Sequence, residues 1–302
     1  VAMDVTRILA SDPERLAHTD IADYALDALR KSKVKTVWLL GRRGPAEAAY
    51  SPGEIEEIGS LSTADLVVDP KEAELDEVSK GELTDGETRK KVEYVQARAQ
   101  AGTSGKPRQV RLRFRVGPVE LIGENGKVKA IKLEKNRLVS DGKGGVKAVG
   151  TGEFETQPVG LVLRSVGYRG IPLPGVPFDE KSGHVPNVDG RVASAPSQYV
   201  VGWAKRGPSG LIGTNRADSV ATVKALLEDL AAGKLPAAAA ASLDATLSLL
   251  KAKGLRTISF ADWQKLDALE RERGAKTGKI REKFTRVEDM LAALAGSTSA
   301  AA

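Results

Sequence analysis

The chain has 302 residues, enough at roughly 150 residues per domain for two cores, and its 41% hydrophobic and 28% charged residues are the balance of a globular protein. It has no cysteine and two histidines, His18 and His184, which excludes disulfides, thiolate zinc and iron–sulfur sites, a dithiol redox centre and a histidine-rich metal site, so no metal is expected. No apolar run approaches the ~20 residues of a membrane-spanning helix, and a net charge of +6 with 4% aromatic residues suits docking to an acidic protein better than a base-stacking nucleic-acid platform.

The sequence opens at Val1 with no targeting segment, and it reads as an N-terminally truncated piece of a cytoplasmic protein. Val1, Val5, Ile8 and Leu9 recur at helical spacing with Asp4 and Arg7 opposite, so a helix opens the chain. A second helix is predicted over 20–30, where Ile21, Tyr24, Ala25 and Leu29 share a face. The run VKTVWLL at 34–40 predicts a buried strand stopped by Gly41. Helix, strand and glycine in that order form the second half of a βαβ unit, whose first strand would precede Val1.

Ser51, Pro52 and Glu54 spell a capping box at the start of a short helix. ADLVVD at 64–69 predicts a strand closed by Pro70, and 71–101 one or two exposed helices. Residues 110–116 alternate strictly: one face is apolar, and the other carries Arg111, Arg113 and Arg115. With Lys106 and Arg108 these form a solvated strand face or a docking patch. Further strands are predicted over 126–139 and 144–149, around the turn at Asp141 and Gly142, and over the apolar run at 159–166. Residues 170–197 carry little periodicity. A short buried strand at 199–203 leads into a glycine-rich stretch at 207–215, and helices are expected over 216–232, 236–253, 260–273 and 286–295.

Two places carry chemistry. Arg42 and Arg43 follow the strand at 34–40, where a dinucleotide-binding βαβ unit meets the adenine ribose. A carboxylate there takes the 2′-hydroxyl of NAD, whereas arginine takes the 2′-phosphate of NADP. Two charge-assisted contacts of ~1.5–3 kcal/mol each would give a preference of roughly 10²–10⁴-fold. A basic surface turn is the alternative. The second place is 207–215, where glycines open the backbone at a helix N-terminus beside the flat ring of Trp203, an arrangement suited to a flavin ring or to an ordinary capped loop. Glu54 and Glu57 share a helical face and serve either as acid/base or cofactor-contacting groups, or as a cap and a solvated carboxylate. His18 and His184 are given no role.

Taken together, VAMDVTRIL, DIADYAL, GRRGPAEAAYSPGEIEEI, VLRSVGYRGIPLPGVPFDE, HVPNVDGRV, GWAKRGPSGLIGTNRADS and FADWQKLDALERERG resemble, in this order, the ferredoxin–NADP reductases of the adrenodoxin-reductase type. The resemblance implies an α/β fold of two Rossmann-like dinucleotide-binding domains. An NADP domain (1–168, its first strand and glycine-rich loop truncated) would be inserted in an FAD domain, with 169–302 its C-terminal part and its N-terminal portion missing. It implies FAD and NADP as cofactors and a ferredoxin-type iron–sulfur protein as partner. It places Val1 and Ala2 at the end of the NADP loop, Arg42 and Arg43 on the 2′-phosphate and Glu54 on NADP. Glu57 would be a catalytic-site glutamate whose partner histidine is absent here, and Trp203, Gly210, Leu211 and Ile212 would contact the flavin. The function implied is FAD-dependent electron transfer between NADPH and the iron–sulfur protein, through hydride transfer to flavin. A glutamate-synthase small-subunit-like flavoprotein, or a non-catalytic NADP-binding or docking fragment, are the alternatives.

Overall fold

The computed structural model describes residues 1–142, 144–210, 212–235 and 242–296. The chain divides into two compact units, Val1–Arg164 with Ile258–Ala302, and Ser165–Thr257. The division falls four residues before the boundary expected at 168, and the C-terminal helices group with the first unit.

The first unit opens with α1 (Ala2–Ala10), α2 (Pro13–Leu16), α3 (Asp23–Arg30), β1 (Thr36–Leu40), α4 (Pro52–Gly59), β2 (Ala64–Val68), α5 (Pro70–Ala73), α6 (Glu77–Lys80), α7 (Gly86–Ala101) and β3 (Arg108–Arg113). The three strands form a parallel sheet in the order β1-β3-β2, with Val37 and Leu66 both opposite Val110. The core beneath it comprises Leu66, Val110, Leu112, Ile55, Ile58, Val95 and Phe114. α1 buries Met3, Thr6 and Ala10, so its inward face is rotated from the Val1/Val5/Ile8/Leu9 stripe expected, and Val1 is exposed. In α3 only Leu26 is buried, and Tyr24 faces solvent.

Two hydrogen bonds orient α1 against the sheet. The Thr63 hydroxyl, just before β2, donates to the Ala10 carbonyl at 2.6 Å, and Arg108 at the start of β3 donates to the Ser11 carbonyl at 3.3 Å. The C-terminus of α1 therefore lies at the amino ends of the strands, and its N-terminus runs back toward their carboxyl ends. α4 runs the same way, because its C-terminus leads through Leu61 directly into β2.

The predicted strand at 110–116 is overturned in its second half: β3 stops at Arg113, Phe114 is buried, and Arg115 takes a left-handed φ of 54°. The chain then enters an antiparallel meander of β4 (Val116–Glu124), β5 (Lys127–Ser140) and β6 (Val146–Pro158), in the order β4-β5-β6. The arginine face is not a solvated docking patch. Arg113 is clasped by Glu72 at 2.7 Å and Glu155 at 2.8 Å, and Arg111 lies over the Trp38 ring. Arg115 donates to the carbonyls of Lys71 and Glu74 at 2.6 and 2.8 Å.

The second unit contains the hairpin β7 (Asn187–Val188) and β8 (Arg191–Val192), then α8 (Trp203–Arg206), α9 (Ile212–Ala231) and α10 (Leu243–Ala252). α9 buries Thr222, Ala225 and Asp229 on one side and exposes Val220, Val223, Leu227 and Leu230 on another. α11 (Phe260–Lys276) and α12 (Val287–Leu294) return the chain to the first unit, where Lys283 pairs with Asp20 at 2.6 Å. The runs at 159–166 and 199–203 are not strands. A strand exists through its ladder; among the described residues the first run makes one bond to β5, from Val159 N–H to the Lys129 carbonyl, the second a single bridge from Tyr199 to Arg191, and neither goes on into a ladder. The helix expected from 236 is described only over Leu243–Ala252, because 236–241 lie outside the described residues. No helix among the described residues is long and apolar enough to cross a membrane, and no group of metal-ligating side chains occurs among them.

The Arg113 trio joins the parallel sheet to α5 and the meander. Arg113→Ala takes the cation from two partly buried carboxylates, of which Glu72 keeps the Phe114 N–H bond, and we expect a loss of about 2 kcal/mol in equilibrium urea unfolding; a loss below about 0.5 kcal/mol would place the trio among surface pairs of no consequence.

Candidate functional site

The carboxyl edge of the parallel sheet brings together the turn after β1, the N-terminus of α1 at Val1 and Ala2, and the N-terminus of α4 at Ser51. Open α/β sheets bind ligands at this edge, because helix N-termini present N–H groups there. The turn itself is held on every side. Gly41 N–H donates to the Arg113 carbonyl at 2.8 Å, and Val116 N–H donates to the Gly41 carbonyl at 3.1 Å. The Asn136 side-chain amide donates to the Arg42 carbonyl at 3.0 Å, Arg115 N–H to the Arg43 carbonyl at 3.0 Å, and Gly44 N–H to the Glu47 carboxylate at 2.8 Å.

The loop that follows is pinned from below by Lys91, whose ammonium donates to the Ala48 carbonyl at 2.6 Å and lies over the Tyr50 ring. Burial holds the Lys91 pKa below the usual lysine value and pushes the Tyr50 phenol up. From this fixed backbone Arg42 and Arg43 extend into solvent, and among the described residues neither guanidinium group has an ion-pair or hydrogen-bond partner. Two free guanidinium groups on adjacent residues can take one polyoxygen anion between them.

The capping box expected from Ser51 and Glu54 forms: Glu54 accepts from Ser51 N–H at 2.7 Å and from its hydroxyl at 2.9 Å. Glu57 is paired with Arg7 of α1 at 2.9 Å on the surface, an ion pair the spacing of Glu54 and Glu57 gave no hint of. The ammonium of Val1 pairs with Asp4 at 3.2 Å.

The second unit builds its own site around α8 and α9. Gly202 N–H donates to Asp218 at 2.6 Å, and Lys205 reaches the other oxygen of the same carboxylate at 2.8 Å. The Lys205 hydrogen bond holds the Asp218 carboxyl below its ordinary pKa. Trp203 is half exposed, with its ring stacked on Tyr168 at 5.6 Å between centroids. Gly210 has φ +80° and a Cβ there would meet Thr214 at 2.8 Å, so the tight entry to α9 requires glycine. α9 begins at Ile212, four residues earlier than the sequence pattern suggested. Leu211 and the Ile212 side chain lie outside the described residues. Arg206 donates to Ser209 and Asn215 across the mouth of this turn.

No protein-family model matches the chain. It is 42% identical over 297 residues to the NADPH-ferredoxin reductase FprA of Mycobacterium tuberculosis, covering 96% of this chain and 64% of that one. It is 41% identical over 304 residues to the human mitochondrial NADPH:adrenodoxin oxidoreductase, covering 96% and 61%. The structure of M. tuberculosis FprA in complex with NADPH superposes with a TM-score of 0.90 at 40% identity, covering 97% of this chain and 65% of that one. The chain is a homologue of the adrenodoxin-reductase type of ferredoxin–NADP reductase. It spans under two thirds of the length of these relatives.

In this reductase homologue the scaffold of the second site turns on Asp229. Its carboxylate receives Arg191 at 2.5 and 3.1 Å and the Tyr199 hydroxyl at 2.8 Å, which ties the β7–β8 hairpin to α9. Gly190 lets the hairpin approach, since a Cβ there would lie 2.4 Å from Thr222. The hydrogen bonds from Arg191 and then Tyr199 hold the Asp229 carboxyl far below the usual aspartate range. A depressed carboxyl contributes stability above its unfolded pKa and loses it as pH falls toward the folded one. We expect urea midpoints read from Trp203 fluorescence to drop between about pH 5 and pH 2 less in Asp229→Asn than in the wild type. Equal acid sensitivity would remove Asp229 from this role.

Proposed function

We propose that the chain forms the NADPH-binding part, and one wall of the flavin site, of a ferredoxin-type reductase that moves electrons between NADPH and an iron–sulfur protein. The observation that carries this reading is the free arginine pair at the tip of β1, on a turn whose carbonyls from Gly41 to Arg43 all accept hydrogen bonds from the protein itself. Arg42 and Arg43 would share the 2′-phosphate. Val1 and Ala2, at the N-terminus of α1, would face the nucleotide phosphates, where aligned N–H groups favour negative charge. Glu54, at the start of α4, would border the same nucleotide, and Glu57 would belong to the reaction centre.

The residues of the second unit fit a flavin. Trp203 offers a partly open indole, and the backbone at Gly207 and Gly213 opens on free space, with nothing within 4 Å of where a Cβ would stand. Trp203 and the segment Gly210, Leu211 and Ile212 would hold the ring, with the first turn of α9 directed at its electron-rich edge. Bound FAD would supply the chemistry of accepting a hydride and releasing electrons singly. The residues of this chain would align the two rings and keep the flavin face dry, which is where a protein contributes to such a transfer. This reading assigns 1–168 to an NADP-binding and 169–302 to an FAD-binding Rossmann-like domain, a division by chain order that differs from the two compact units, where Ile258–Ala302 group with the first. The likeness to FprA and to adrenodoxin reductase favours it over a glutamate-synthase-like carrier.

The double substitution Arg42→Ala with Arg43→Ala tests it. We expect NADPH binding to weaken by roughly 10²–10⁴-fold while NADH binding changes little, measured by fluorescence titration of the reduced nucleotides. Equal losses for both nucleotides would refute the 2′-phosphate assignment.

A further inference from the structure

Of the three carbonyls from Gly41 to Arg43, two are satisfied by backbone N–H groups and one, that of Arg42, by a side chain. The donor is Asn136, 94 residues away in sequence, in the middle of β5. It sits at a register shift: Glu134 pairs with Phe154, but Asn136 pairs with Gly150, so Thr151, Gly152 and Glu153 of β6 bulge opposite Lys135 alone. The Asn136 N–H donates to the Arg115 carbonyl at 2.7 Å, while its amide reaches the Arg42 carbonyl. Arg115 in turn donates its own N–H to Arg43. One asparagine thus ties the β1 turn and the β3–β4 corner into a single ring of hydrogen bonds.

The packing around it is equally tight. Gly117 of β4 faces this amide: a Cβ there would lie 3.3 Å from Nδ2 of Asn136 and 3.8 Å from Cγ of Arg42. The amide and the aliphatic stem of Arg42 therefore both crowd the space above a residue that has no side chain. Without that donor the Arg42 carbonyl loses its hydrogen-bond partner, and the turn that carries both guanidinium stems is held by one anchor fewer.

We propose that Asn136 is a positioning residue that sets the preference of the arginine pair for a 2′-phosphorylated adenine nucleotide, with Gly117 providing the space it needs. The inference rests on the reading of Arg42 and Arg43 as the 2′-phosphate grip. Asn136 makes no contact with the nucleotide in this scheme. It lowers the ordering cost of presenting two guanidinium groups to one phosphate.

Calorimetric titration of the 302-residue chain with adenosine 2′,5′-bisphosphate and with adenosine 5′-monophosphate tests it, in the wild type and in Asn136→Ala, Gly117→Ala and Arg42→Ala. The expected result is a loss of about five- to tenfold in bisphosphate affinity for Asn136→Ala, with monophosphate affinity unchanged. Gly117→Ala is expected to show a smaller loss with the same split. Equal weakening of both nucleotides in Asn136→Ala would make the residue merely structural and overturn the proposal, as would no change in either. If Arg42→Ala abolishes the preference while Asn136→Ala keeps it, the arginine reading stands and the Asn136 proposal falls. If the wild type holds both nucleotides alike, the arginine reading itself fails and takes the proposal with it.

Discussion

β1 and β3 pair in parallel from Thr36 to Leu40, and the ladder runs one bond further, from Gly41 N–H to the Arg113 carbonyl. That extra rung determines where β1 ends and in which direction the chain leaves it. Because Arg115 turns left-handed at the end of β3, its N–H and carbonyl face back across the turn, toward Arg43 and Asn136. A left-handed non-glycine residue costs on the order of 1 kcal/mol. Here the cost is offset by the two guanidinium bonds of Arg115 to the carbonyls of Lys71 and Glu74. The candidate site is therefore determined by backbone geometry first, and the side chains proposed to meet the nucleotide project from a support with little freedom left.

The same residue type does opposite work a few ångströms apart. Arg113 is neutralised by two carboxylates and acts as mortar between α5, the parallel sheet and the meander. Arg42 and Arg43 meet no acid among the described residues, so their charge is available to a ligand. The second unit follows the same logic with carboxylates: Asp218 and Asp229 are each saturated by cations and N–H or O–H donors, and what remains open is the glycine-rich entry to α9 and the ring of Trp203. In both units these scaffold carboxylates and Arg113 are paired off, while the groups proposed to meet a cofactor are left exposed.

What the sequence made legible was local. The capping box of Ser51 and Glu54, the stop at Gly41 and the arginines beyond it depend on neighbours within a few residues, and each could be read from spacing. The run from Val110 to Val116 looked like one strand because alternation carries no sign of φ, and nothing marks Arg115 as left-handed. β4 was missed because a stretch containing Gly117, Pro118 and Gly123 reads as a turn, although its pairing with β5 holds it extended. The apolar runs at 159–166 and 199–203 failed for the converse reason: they have strand composition, but past Val159 and Tyr199 no ladder forms among the described residues. Asn136 and Arg115 gave no signal at all, since their roles exist only once segments distant in sequence are folded together. Motif order over the whole chain was more informative than any single motif, and the relatives match the chain over 96% of its length.

A crystal structure of the chain with bound NADP⁺ measures the central claim most directly. The account predicts the 2′-phosphate seated between the guanidinium groups of Arg42 and Arg43, with the Gly41–Gly44 backbone unmoved and the Asn136 amide still on the Arg42 carbonyl. A 2′-phosphate bound elsewhere, or two arginine side chains turned away from it, would contradict the account.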